Sequence, residues 1–370
     1  MKILTWIAGT VSWVLIGMAV ETARSADNSV PAGSPDTAWS ALQQQAILPK
    51  PPATWDAQAP TDAEATAFHK HRAELAAAAA DQAAVFYNDF PNSTNAIAAK
   101  QLQCKMLETA SLEIGVDQEK LAAWAKAQAQ LLADPHLVEP ERLQLRIDII
   151  QRKRFEPHAS YEAGQAEREQ DLRALIKEYP AADRPREMLL NLAANSTDKQ
   201  ARKIATELLQ SPLSDANKQI AEGILRRLDA TGKPLDIQFT AVDGRPVDLR
   251  QMKGKVILVD FWATWCGPCV GEIPHVRAAY EKLHDRGFEV VGISFDTSSA
   301  GGATKFKRFL KENDMPWPQY FDGKDWNNQF GLKFAIRAIP AMWLIDKKGN
   351  LRDTSARDDL ESKVEKLLAE

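Results

Sequence analysis

Hydrophobic residues fall in three successive rhythms along this chain. An apolar run from Ile3 to Val20 follows the positive start Met1-Lys2. From about Thr61 to Ala230 the apolar residues recur at helical spacing in an Ala-, Leu-, Gln- and Glu-rich background, with no alternating β-branched run, which predicts an all-α region. After Thr231-Gly232 short β-branched runs take over. Gln238–Thr240 and Pro246–Leu249 flank Asp243-Gly244 as a compact hairpin, and Lys255–Trp262 reads as a buried central strand. A helix is expected from Pro268 to about Arg286, a strand over Phe288–Ile293, a helix near Thr304–Asn313 and a third strand over Ala341–Ile345. Strands alternating with helices predict an α/β sheet.

These rhythms divide the chain into residues 1–26, a signal peptide or membrane anchor; 27–60, a flexible linker rich in Ala, Pro, Ser and Gln; 61–230, an all-α domain of helical hairpins; and 231–370, the α/β domain. The apolar run is longer than a usual signal core and shorter than a comfortable spanning helix, so cleavage and anchoring both stay open. Within the helical region an apolar helix end, a polar step and a proline recur at Pro91, Pro135, Pro180 and Pro212, separated by 44, 45 and 32 residues. Proline just beyond a helix stops it, and a polar residue that follows opens the next. The period resembles that of tetratricopeptide-like solenoids, without their diagnostic Trp, Gly and Tyr positions. Such an array implies either a concave surface for a protein partner or a module for packing or self-association.

Composition narrows the function. Lys and Arg number 46 against 50 Asp and Glu, for a net charge of −4. With no basic surplus, nucleic acid is excluded as the expected partner. Three cysteines among 370 residues are too few for a disulfide-stapled secreted fold. Cys104 lies seven residues after Ile97 and three before Leu107, on their apolar face, and is read as core. His69 and His71, two apart on a helix, point away from each other and make no metal site.

The remaining pair sits in Trp265-Cys266-Gly267-Pro268-Cys269 at the start of a helix. There Cys266 meets unpaired N–H groups and the positive end of the helix dipole, which favour thiolate over thiol. Pro268 suits the first turn, and Gly267 is expected to permit a tight approach of the two sulfurs. Cys266 is thus the exposed nucleophile and Cys269, one turn on, the shielded thiol that resolves the mixed disulfide. A zinc half-site would need ligands that the neighbourhood lacks, and a static disulfide closing so short a loop would stabilise little.

The segments LVDFWATWCGPC with EIP, and FAIRAIPAMWLIDKKGN, resemble the thioredoxin superfamily, in particular the exported TlpA/ResA/DsbE-like thiol:disulfide oxidoreductases, over about Leu235 to Glu370. The resemblance implies a thioredoxin-like α/β fold for this domain. It makes Asp260 the buried acid that helps deprotonate Cys269, Pro274 the helix-kinking proline, and Pro340 the cis-proline facing the dithiol. The backbone of Ile339 would pair with an extended partner peptide. Glu272 resembles the acid that tunes the pair in the exported subgroup, or is an ordinary first-turn glutamate. Trp265 is an exposed contact for partner proteins and Trp262 is core. The segment around Trp317 and Trp326 fits the extra helix and strand of the subgroup.

The expected activity is reduction or isomerisation of protein disulfides, with the Cys266–Cys269 disulfide as the redox centre and no separate cofactor or metal. Cys-Gly-Pro-Cys resembles thioredoxin, whose potential is near about −270 mV. Protein thiol and disulfide substrates and a membrane electron donor are the implied partners, and export, to a bacterial periplasm, the implied location. The alternatives are a helical scaffold with a sensory or incidental redox domain, and a thiol peroxidase. The peroxidase would need a Thr three residues before its cysteine, whereas Thr264 stands two before Cys266.

Overall fold

The structure is a computed structural model that describes residues 33–56, 60–298 and 302–370. The apolar leader expected over 1–26 lies outside these residues. Among the described residues no helix is long and apolar enough to cross a membrane. Spatial proximity divides the chain into two compact units, up to Glu156 and from Pro157 onward.

The first unit is helical: α1 Pro35–Gln45, α2 Asp62–Asp89, α3 Ala96–Leu112, α4 Gln118–Leu132 and α5 Glu139–Lys153. The long α2 starts on a capping box, in which Thr61 and Glu64 satisfy each other's backbone N–H groups. Its buried face is Ala73, Ala76, Ala79, Ala80, Ala83 and Phe86, mostly small enough that α3 packs closely along it. Helix α1 corrects the flexible linker expected over 27–60. Ser34 caps its start, Pro35 occupies the first turn, and Ala38 and Leu42, four apart, are buried with Phe86 and Ala99. Two apolar residues in a proline-rich stretch carry too little periodicity to announce a helix.

In the second unit α6 Tyr161–Glu178, α7 Asp183–Ala194, α8 Asp198–Leu209 and α9 Asp215–Ala230 precede the strands. Pro91, Pro135, Pro180 and Pro212 lie just beyond α2, α4, α6 and α8. The chain continues through β1 Gln238–Thr240, β2 Pro246–Asp248, β3 Val256–Trp262, α10 Gly267–Leu283, β4 Phe288–Ser294, α11 Gly302–Glu312, β5 Gln319–Tyr320, α12 Gln329–Phe334, β6 Ala341–Ile345, β7 Leu351–Asp353 and α13 Leu360–Ala369. Strands β1 and β2 form the hairpin around Gly244, whose φ of 91° suits a residue without a side chain. The main sheet has the order β5-β4-β3-β6-β7. Strand β3 is parallel to β4 and antiparallel to β6.

Every residue of β3 and β4 is buried, as befits central strands covered on both faces. Side chains alternate across β3. Phe261 meets Trp343, which also meets Phe334 of α12, while Trp262 packs on Phe306 and Phe309 of α11. Trp262 is core, and its Nε1–H donates to Gln319 Oε1 at 3.0 Å. The pairing of β3 with β6 brings the residue before β6, Pro340, to the same end of the sheet as the loop that leaves β3.

Helices α6 to α9 pack on one another, and α9 also packs on α12. Its Gly223 makes this possible: a Cβ there would lie 3.0 Å from both the Cβ and the backbone N of Ala335. Beyond α9 the chain joins the sheet edge directly, with the Gly232 N–H donating to the Leu351 carbonyl at 2.8 Å.

Candidate active site

Strand β3 delivers the chain through Ala263 and Thr264 into the start of α10. That turn is pinned from β4: the Thr264 N–H and hydroxyl donate to the buried carboxylate of Asp296, which also accepts from the Ser294 hydroxyl at 2.7 Å. Asp296 escaped the sequence reading, because its role depends on two strand ends being adjacent. The parallel order of β3 and β4 is the signal that points to it.

Cys266 is the N-cap of α10 and is joined to Cys269 by a disulfide. Its Sγ accepts a hydrogen bond from the Cys269 N–H at 3.2 Å. This is the local field that favours negative charge on this sulfur when the bond is opened. Pro274 lies inside the helix. The expectation of an exposed nucleophile needs correction: Cys266 is only 6% exposed and Cys269 3%. The exposed groups are the neighbours, Trp265 at 52% and the first helical residues Gly267 and Pro268. The sulfur is covered from the opposite side, where the Ile339 carbonyl oxygen lies 3.8 Å from Cys266 Sγ and the Ile339–Pro340 peptide bond is cis.

Gly267 also differs from expectation. A Cβ there would meet nothing within 4 Å, so the closeness of the sulfurs does not require glycine. The open space lies instead on the outer side of the pair. Trp265 is held by an Nε1–H bond to the Phe295 carbonyl at 3.2 Å, with its ring 6.1 Å from that of Trp326.

Asp260 lies on β3, 5% exposed, and its Oδ1 is buried without a hydrogen-bond partner. Burial, and secondarily the charge of Glu272, raises its pKa to about 7. Glu272, on the first turns of α10, is held by Arg357, whose Nε and Nη2 lie 2.8 and 2.7 Å from Oε1, and by His275 at 3.2 Å. Burial pushes its carboxyl up, but hydrogen bonds from Arg357 and then His275 outweigh it and leave it below the usual value. The site thus holds two coupled acids, one kept ionised by a cation and one poised to exchange a proton near neutral pH. Arg357 has no sequence signal, being 85 residues from its partner.

The arrangement supports thiol exchange: a sulfur in a positive helix end, a second sulfur behind it, and a buried acid able to give or take a proton. The Redoxin family model matches residues 230–368. Thiol-disulfide oxidoreductase ResA of Bacillus thuringiensis subsp. konkukian is 26% identical over 132 residues, 35% of this chain and 72% of the relative. Thioredoxin-like protein YneN of Bacillus subtilis is 28% identical over 134 residues, 35% of this chain and 75% of that protein. Among solved structures, the thioredoxin domain of a thiol-disulfide oxidoreductase from Bacteroides vulgatus is 31% identical. It covers 37% of this chain and 97% of that domain, with a TM-score of 0.33.

Proposed function

Residues 230–368 form a thioredoxin-superfamily domain of the ResA-like kind, and from this premise we propose that the protein is an exported thiol:disulfide oxidoreductase that reduces or isomerises disulfides in protein substrates. The observation that carries the reading is the Cys266–Cys269 disulfide at the start of α10, with the Ile339 carbonyl against one sulfur and the Asp260 Oδ1 buried in the core without a partner.

In the reduced enzyme the Cys266 thiolate attacks one sulfur of a substrate disulfide. The Cys266–substrate bond forms as the substrate S–S bond breaks, and the departing thiolate takes a proton. Cys269 then loses its proton to Asp260 and attacks Cys266 Sγ. The enzyme disulfide re-forms and the second substrate thiol leaves, so two electrons pass from the enzyme dithiol to the substrate. The state with a Cys266–Cys269 bond is therefore the spent one for a reductase. A donor of two electrons, read here as a membrane protein, must regenerate it.

Substrate chains would dock where Trp265, Gly267 and Pro268 are exposed, pairing in extended form with the backbone at Ile339 beside Pro340. Export to the periplasm rests on the leader Met1–Ala26 and the family resemblance. The helical region is read as a module that binds a partner or self-associates.

The test is the reduction potential of the pair in dithiothreitol buffers together with insulin reduction by the full chain. A potential near about −270 mV, with turnover lost in Cys266→Ser, establishes a reductase. A potential above about −180 mV turns the reading toward disulfide formation or isomerisation. Absence of any redox-active pair overturns it in favour of a helical scaffold.

A further inference from the structure

Within the second unit lies a cavity of about 370 Å³. Pro340 lines it, and the preceding carbonyl is the one that lies against Cys266 Sγ. One wall comes from α7, α8 and α9; the other comes from the segment leading into β6 and the loop after β7.

Three arginines, Arg227, Arg337 and Arg357, line this cavity. Partly buried arginines in this chain are held in two ways: Arg173 reaches the carboxylates of both Glu169 and Glu207, while Arg186 bonds only the Ala182 and Pro180 carbonyls. Arg227 belongs with the latter. Among the described residues it makes one hydrogen bond, from Nη2 to the Ala194 carbonyl at 2.8 Å, and no ion pair. Four of its five N–H donors have no partner. Arg337 bonds Asn191 Oδ1 at 2.7 Å and only grazes Glu187 at 3.5 Å. Arg357 turns Nε and Nη2 to Glu272, which leaves Nη1 unspent. The lining also holds Asp198 and Asp358, which like Arg357 are exposed, so three cations meet two carboxylates there. Burial depresses the Arg227 pKa, and the charge of Asp198, across the same cavity, acts in the opposite direction.

Half-buried guanidinium N–H groups that no carboxylate fills can donate to an anionic ligand. Guanidinium groups converging on one cavity select a carboxylate by paired N–H donation. The position suggests its bearer: a chain running extended past Ile339 would carry the residues next to its cysteine past Pro340, which lines the cavity. We propose that the Arg227–Arg337–Arg357 cavity is a substrate subsite, taking the carboxylate of an aspartate or glutamate carried by the substrate polypeptide close to its reacting cysteine. The inference rests on the dithiol-exchange reading above and names the substrate class for that same site. It also gives helices α7 and α9 a part in recognition.

The test uses the full reduced protein and two disulfide-bonded peptides, identical except for Glu or Gln two residues from the cysteine, at fixed ionic strength. In this single turnover, in which each dithiol gives its two electrons once, the wild type is expected to show a second-order rate constant for the Glu peptide higher by roughly tenfold or more, the range of a charge-assisted hydrogen bond. Arg227→Gln and Arg337→Gln should each pull that ratio toward one, whereas Arg245→Gln, on a distant exposed pair with Asp243, should leave both rates unchanged. Because Arg227 also caps α7, melting curves monitor folding and Arg337→Gln serves as the second variant. Equal rates on both peptides in the wild type, or a preference that survives both substitutions, overturns the subsite. Inorganic phosphate that stabilises the wild type against melting without any peptide preference also overturns it, in favour of a free-anion site. If neither peptide is reduced, the dithiol-exchange reading itself fails.

Discussion

Cys104 in the first unit and Cys266 in the second are almost equally hidden, at 8% and 6% exposure, yet their surroundings prepare them for opposite chemistry. Cys104 sits midway along α3 among Leu107, Trp124 and Leu131, where the helix offers no free N–H. Burial, with the Asp148 charge adding to it, pushes its thiol up to about 12. Cys266 sits at a helix start, where an N–H points at its sulfur. Accessibility therefore does not separate an inert cysteine from a reactive one in this protein. What separates them is whether the buried sulfur finds donors for its negative form.

The sharpest way to break this comparison is to remove each sulfur in turn. Cys266→Ser should lower insulin-reduction turnover by roughly a thousandfold or more, as losing a covalent nucleophile does, while Cys104→Ala should leave turnover within about twofold. Comparable losses in both would refute the contrast. Thiolate absorbance in the reduced protein gives the next largest difference: Cys266 should titrate below the free-cysteine value of ~8.5, and Cys104 should stay protonated beyond pH 10.

Asp260 sharpens the contrast through stability. Its folded pKa, about 7, is above its unfolded value, so the native state holds the proton more tightly. The contribution of Asp260 to stability is then greatest at low pH. It falls by up to ~1.4 kcal/mol per pH unit between roughly pH 4 and 7, and is flat above. Urea melts of oxidised wild type against Asp260→Asn across this window should show the slope from this group vanish in the variant; an unchanged slope would sink the assignment. Glu272→Gln removes a charge that raises the Asp260 pKa, so the Asp260 midpoint should move down, by less than about one unit. Carboxyl chemical shifts would read it. The smallest effect belongs to Cys104→Ala, a small cavity in an apolar cluster, with a loss of ~1 kcal/mol by urea denaturation.

The part of the site that was legible in the sequence is the part built from neighbours in the chain. The run into Trp262, the Cys-Gly-Pro-Cys step and the start of α10 lie within a few residues of one another, so spacing alone places a sulfur in a helix end. Partners that meet only through the fold stayed silent. Thr264 and Asp296 are 32 residues apart, Glu272 and Arg357 are 85, and Arg337 reaches Asn191 across 146. The same reason hid the burial of Cys266, since the atoms that cover it belong to the loop before β6. Helix α1 was missed for a different cause, its apolar content being two residues that matter only once Phe86 is there to receive them.

Gly223 carries no chemistry, lies on a helix outside the redox motif and touches no sulfur. Yet its missing side chain lets α9 rest against Ala335, four residues before the carbonyl that faces Cys266. A methyl group added there would ask Ala335 to give way by a few tenths of an ångström, on the segment that runs on to Ile339 and Pro340. Position 223 is therefore a place where a change remote from the sulfurs in sequence acts on the chain that covers them.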